Sequence, residues 1–242
     1  MLSEKPWQAG TVLQFCVAQL ACFCLGLTLA GLLQKTGLAA FQPPDGFGLV
    51  LCATLGFQGA TWILMAFFLG QHRADWRDVF GVRPARWPRA LAAALLTLVI
   101  ALPVVLGLQQ LSVATLEKIG WPPQEQTAVH LVLATKFWWT RAYLGLFAVL
   151  IAPVAEEFIF RGVLYPFVKQ QGFPKLAWIG VSLLFALIHM DAATFLPLFV
   201  LALALTWLYE LTDALLAPIT VHALFNAVNF AMLLWQTRPF HS

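Results

Sequence analysis

The chain predicts an all-α fold, a polytopic transmembrane helical bundle of about seven to eight spans, and three observations carry that reading. Hydrophobic residues make up 61% of its 242 residues and charged residues 10%, against roughly 45–50% and about 25% in soluble domains. Apolar runs of spanning length, about 20 residues, recur along the chain. Between them lie breaks rich in Pro, Gly and Arg. The same composition excludes a disordered chain, which needs low hydrophobicity and high charge. The net charge of +3 and the lack of a basic run argue against nucleic acid as a partner.

The spans follow in order. Residues 11–33 form the first; the run is too long for a signal-peptide core and lacks a basic flank, so it reads as a retained helix. The next are 47–70, 89–111, 140–168, 176–190, 192–210 and 214–236, with 127–139 as a weak eighth. "FQPPDGFG" at 41–48 is a turn cluster, and "GVRPARWPR" at 81–89 is rich in Pro and Arg. "GWPPQEQ" at 120–126 does not continue a helix, because Pro122 and Pro123 have no N–H to donate. In the fourth span, Pro153 is the expected kink. No internal repeat or second domain is visible. Residues 1–242 therefore read as one integral membrane domain, with N-terminal helices over 1–139 and a functional core over 140–236. Cys16, Cys22, Cys24 and Cys52 all lie in apolar stretches and show no metal or disulfide spacing.

Orientation comes from basic residues near span ends. Arg73, Arg77, Arg83, Arg86 and Arg89 share one loop, which puts that loop and the N-terminus in the cytoplasm, with Lys5, Lys169 and Lys175 on the same side. Lys35, Lys118, Lys136, Arg141 and Arg238 fall outside. The expected location is the plasma or inner membrane.

A charge at mid-bilayer costs about 2.5–3.5 kcal/mol on insertion scales, yet the later spans carry several ionisable groups. "APVAEEFIFRG" at 152–162 holds Glu156, Glu157 and Arg161. The fifth span holds His189, and the seventh holds His222, Asn226 and Asn229. Glu157 and Arg161 stand i,i+4 and can pair on one helix face. Glu156 is turned about 100° from Glu157 and has no evident local partner. His222, Asn226 and Asn229 form a polar stripe at helical spacing. Counted from the inner surface, Glu156 and His189 both lie roughly 20 Å deep and His222 about 12–15 Å. One shared polar cavity explains all of them.

The chemistry of that set is readable. A carboxylate and a histidine converging on one point can share a water and deprotonate it. A histidine and an asparagine on one face offer N–H donors to the oxyanion of a tetrahedral intermediate. Together they suit amide hydrolysis. Two histidines and a carboxylate also make a catalytic zinc set, and Glu156, His189 and His222 would be the ligands. The chain has no HExxH pair, "GVSLL" at 180–184 lacks the second glycine of a GxSG motif, and no aspartate sits mid-span. Ser182 reads as a packing serine.

These residues resemble the motifs of the CPBP family, the CAAX-protease and bacteriocin-processing (Abi) proteins. "EEFIFR" (156–161) is similar to its EExxxR motif, "FALIH" (185–189) to its FxxxH motif and "HALFN" (222–226) to its HxxxN motif. The resemblance covers about 140–236 and implies an intramembrane endopeptidase acting on a membrane-anchored or hydrophobic peptide or protein. It implies that Glu156 and His189 activate water, that His222 and Asn226 form the oxyanion site, and that Glu157 and Arg161 support the site structurally. It implies no required cofactor in a glutamate-type mechanism and leaves a divalent metal such as zinc open. The alternative is a non-catalytic immunity or partner-binding scaffold that keeps the motifs for packing.

Overall fold

The computed structural model describes residues 2–42, 46–82, 87–123, 127–135 and 137–236, and these residues form helices and connections with no strand among them. The helices are α1 (Ala9–Lys35), α2 (Phe47–Gln71), α3 (Trp76–Phe80), α4 (Trp87–Lys118), α5 (Thr127–Ala134), α6 (Trp138–Gln170), α7 (Pro174–Leu187), α8 (Ala192–Thr212) and α9 (Leu216–Gln236). Six of them are long and apolar enough to cross a bilayer: α1, α2, α4, α6, α8 and α9.

Two expected spans turn out differently. The run at 176–190 becomes α7, whose 14 residues reach about 21 Å, short of the roughly 30 Å hydrocarbon core. It stops because Ile188 and His189 tighten into a turn, and Met190 takes a positive φ of 50°. The weak stretch 127–139 yields only the eight-residue α5, followed by a break before α6. Lys136 and Arg238, and the loop arginines Arg83 and Arg86, lie outside the described residues.

Burial separates centre from periphery. In the most apolar window of α6 and of α8, 44% of residues are buried, against 11% in α1 and in α2. The outer helices therefore turn most of their leucines to lipid, where apolar exposure costs nothing. Helix α8 packs against α4 and α7, α9 packs against α4 and α6, and the α1–α2 pair leans on α6. One core joins Phe15, Phe68, Phe158, Val163 and Tyr209; a second joins Ala90, Val105, Leu201, Leu205 and Val221.

The α1–α2 contact depends on two glycines. A Cβ on Gly26 would stand 2.9 Å from the Cys52 carbonyl oxygen and 3.0 Å from Gly56 Cα. Close backbone approach of this kind is how membrane helices gain packing energy without a hydrophobic drive.

Helix α6 is not a uniform α-helix. It passes through π-helical turns at Phe147–Ile151 and Phe158–Leu164, on either side of the short α-helical stretch Ala152–Glu157. Pro153 and Pro166 each remove one N–H from the helical ladder. The freed carbonyls find donors on other elements. Asn226 Nδ2 of α9 donates to the Ala148 oxygen at 2.7 Å, and Trp7 Nε1 donates to the Gly162 oxygen at 2.7 Å. Pro153 is thus not the only irregularity in this span, as its sequence suggested.

The residues before α1 strap one end of the bundle. The Leu2 N–H and the Tyr165 hydroxyl donate to Glu210, which also pairs with Lys169. Ser3 Oγ and Lys5 Nζ reach Asp213 Oδ1 at 2.9 and 3.0 Å. The Gln8 N–H donates to His72 Nε2 beyond α2, and Gln170 donates to the Lys5 carbonyl. The N-terminus, the segment after α2 and the α6–α7 turn therefore share one end, as the basic residues suggested. Burial alone would raise the Asp213 carboxyl, but hydrogen bonds from Lys5 and Ser3 outweigh it and hold the group below its ordinary value.

Two predictions follow from these contacts. Gly26→Val lowers the melting temperature in detergent, by the equivalent of about 1–3 kcal/mol of overpacking. Gly31→Ala, which meets nothing within 4 Å, leaves melting unchanged or raises it. A depressed aspartate stabilises the fold above its unfolded value and loses that contribution as pH falls through its folded value. The stability difference between wild type and Asp213→Asn is therefore present at neutral pH and disappears on acidification, as thermal scans across pH will read.

Candidate active site

Glu157 and Arg161 meet as their i,i+4 spacing suggests, with Arg161 Nη1 2.8 Å from Glu157 Oε1 and both side chains fully buried. The guanidinium needs more partners than one carboxylate supplies, and α8 provides them. Arg161 Nη2 donates to the Ala202 carbonyl at 3.1 Å and Nε to Thr206 Oγ1 at 3.3 Å. The plane of the Phe185 ring in α7 lies 4.7 Å away, a cation–π contact. Three helices are thus tied to one cation.

The same Glu157 Oε1 receives a second donor, His222 Nδ1 of α9, at 2.8 Å. A carboxylate oxygen only accepts, so Nδ1 carries the proton and Nε2 is left to face the site. His222 Nε2 lies 3.8 Å from Glu156 Oε2. Glu156, which lacked a local partner in sequence, therefore has one from α9. The 3.8 Å gap is too long for a direct hydrogen bond, and polar contacts beyond about 3.5 Å are commonly bridged by water. Glu157 Oε2 is buried and has no hydrogen-bond partner.

His189 joins the group by way of Phe185. At the end of α7 the His189 N–H turns to the Ala186 carbonyl, which leaves the Phe185 carbonyl open to the His189 ring. His189 Nδ1 donates to it at 2.7 Å, so Nε2 is the nitrogen available to other groups. The Phe185 ring stands 5.0 Å from His189 and 5.7 Å from His222, and so lies between the two imidazoles. His189 sits in the turn just beyond Leu187 rather than inside a span.

Asn226 of α9 reaches across to α6. Its Nδ2 donates to the Ala148 carbonyl that Pro153 leaves free, so one of its two amide hydrogens is already committed. Asn229 Nδ2 donates to the Phe225 carbonyl of its own helix, which makes it a local contact and not part of the cluster. Ser182 lies buried with its Oγ 3.5 Å from Thr206 Oγ1, on the side of Arg161 away from the glutamates.

The residues do not gather as a metal site. Among the described residues no group of three His, Cys, Asp or Glu stands close enough to hold an ion. His222 spends Nδ1 on Glu157, and the nearest approach of Glu156 to it is through Nε2 alone. With Nδ1 held on Glu157, Nε2 is the nitrogen of His222 left for any other partner.

Thr206, Ala202 and Ala148 were not legible as site residues. Thr206 is the one threonine in the largely apolar run "LALALTWLYE", and the other two contribute only backbone carbonyls. A polar side chain stranded in an otherwise apolar span was the one available signal.

Breaking the pair on one side leaves a buried charge without compensation, which typically costs about 3–5 kcal/mol. Arg161→Met is therefore expected to cost about that much in thermal or denaturant unfolding in detergent. Adding Glu157→Leu to Arg161→Met is expected to recover much of the loss, and a double-mutant cycle reads the coupling.

The family model described as Type II CAAX prenyl endopeptidase Rce1-like matches residues 137–228. That stretch runs from the start of α6 into α9 and contains every residue of the cluster. No curated protein and no solved structure matches the chain.

Proposed function

We propose that this chain, whose residues 137–228 belong to the CPBP or CAAX-protease family, hydrolyses a peptide bond in a membrane-associated protein or peptide through Glu156-activated water. One observation carries the reading: a buried carboxylate, Glu156, stands 3.8 Å from His222 Nε2, while Glu157 holds the other side of that ring. A structural ion pair needs Glu157 and Arg161 alone. Glu156 adds a second acid that packing does not require.

The steps follow from the geometry. A water between Glu156 and His222 loses a proton to the Glu156 carboxylate as its oxygen bonds to the substrate carbonyl carbon. The carbonyl π electrons move to oxygen, and the resulting oxyanion takes hydrogen bonds from the second Nδ2 hydrogen of Asn226 and from Nε2–H of His222, which enters the step as an imidazolium with its Nδ1–H on Glu157. Glu157 stabilises the imidazolium in this step and fixes its orientation. When the intermediate collapses, the C–N bond breaks and Glu156 returns its proton to the leaving nitrogen. His189, with Nδ1 anchored on the Phe185 carbonyl, presents Nε2 as an acceptor that orients the water. No metal enters this scheme. The basic residues at the strapped end argue for a cytoplasmic N-terminus and a plasma or inner membrane.

Reconstituted vesicles carrying a panel of membrane-anchored peptides test the reading. Wild type is expected to cleave, and Glu156→Gln is expected to lose about 10²–10⁴-fold in kcat while its melting temperature is retained. Cleavage is expected to survive o-phenanthroline. Loss with chelator and rescue by zinc would move the mechanism to a metal; no cleavage by folded wild type would favour a non-catalytic scaffold.

A further inference from the structure

Helix α2 carries a buried acceptor that the cluster leaves unused. Gln58 lies in the π-helical turn Leu55–Gly59. Its Oε1 is buried and has no hydrogen-bond partner. Such a group is costly inside a span, where no bulk water can satisfy it. The other polar groups of this turn are provided for. The Phe57 carbonyl accepts from Gln19 Nε2 and from Thr61 Oγ1, and Thr61 also donates to Gln19 Oε1. Those contacts tie α2 to α1.

Gln58 also stands near a contact to a different helix. It follows Thr54 by one turn and lies within about 40° of it, whether the turn is counted as α or π. Thr54 Oγ1 pairs with the Tyr143 hydroxyl of α6 at 2.6 Å, so this face of α2 looks toward α6. Two cross-contacts, Thr54 with Tyr143 and Phe68 with Phe158, show α2 and α6 running in the same direction. Gln58 falls between those levels. The turn Leu55–Gly59 packs against Ala152–Glu157, the stretch that ends in the two glutamates.

We infer that Gln58 is a substrate-binding residue of this site, its Oε1 accepting a hydrogen bond from a main-chain N–H of the bound peptide near the scissile bond. The inference rests on the endopeptidase reading above. An amide oxygen only accepts, so its missing partner is an N–H or O–H. A peptide entering the bilayer must place its own backbone donors, and a preplaced acceptor in the turn of α2 that packs against Ala152–Glu157 both satisfies one and sets the register of the chain.

The experiment compares wild type and Gln58→Leu in vesicles against an anchored peptide and against the same peptide N-methylated, one amide at a time, around the scissile bond. Gln58→Leu removes an unsatisfied acceptor in favour of an apolar side chain of similar size, so its melting temperature should match or exceed wild type. Its kcat/KM should fall about 5- to 30-fold. One N-methyl peptide should show a similar fall with wild type and little further fall with Gln58→Leu. Unchanged kcat/KM in Gln58→Leu overturns the assignment, as does a loss of activity that tracks a loss of melting temperature. A benzophenone amino acid at position 58, introduced into Glu156→Gln, separates the two levels of the argument. Crosslinking of the peptide without cleavage by wild type overturns the endopeptidase reading and retains Gln58 as a peptide contact. Absence of crosslinking overturns the Gln58 assignment itself.

Discussion

Arg161 is a full positive charge with no access to solvent, and that constraint organises the C-terminal half of the molecule. Burying a guanidinium is tolerable only if its donors are all met with good geometry. Glu157 supplies the countercharge from the same helix, Thr206 and Ala202 supply oxygens from α8, and Phe185 supplies a π face from α7. Because Glu157 is already held on Arg161, its oxygen is a fixed point for His222 of α9. Four helices converge through one ion pair. Glu156, next in sequence, then has no remaining structural duty and faces the one open nitrogen of His222.

The second organising device is the deliberate loss of helical hydrogen bonds in α6. Two prolines and two π turns would be a liability in lipid if the freed carbonyls went unmet. Here each becomes an attachment point. Ala148 receives Asn226 and so fixes α9 against the outer half of α6, while Gly162 receives Trp7 and fixes the segment before α1. The second π turn lies where protein surrounds it, with Phe158–Val163 all buried, whereas the first has no buried residue. The more regular α1 remains mostly lipid-facing.

Most of the cluster was legible because charge in a membrane span is expensive and therefore conspicuous. Glu156, Glu157, Arg161, His189, His222 and Asn226 stand out against an apolar background, and the i,i+4 spacing of Glu157 and Arg161 already implied their contact. Asn229 stood out equally and is only a local hydrogen bond to its own helix. Thr206 and the carbonyls of Ala202 and Ala148 were hidden because backbone oxygens leave no trace in composition. Six helices of spanning length stand among the described residues where seven to eight spans were expected. The run at 176–190 is apolar enough to cross, but its turn at Ile188–Met190 ends the helix early and sets His189 at a terminus.

The sequence by itself determined that this is a helical membrane protein, that its ionisable groups concentrate in the last four helices, and which of them pair along one helix. Hydropathy and helical period suffice for that, since both are local properties. Only the tertiary structure decided which nitrogen of His222 faces Glu156, that Asn226 gives one hydrogen to a proline-freed carbonyl, and that Gln58 Oε1 of α2 is buried without a partner. Those facts depend on how separate helices pack, and on where the backbone departs from the regular helix that a sequence pattern assumes.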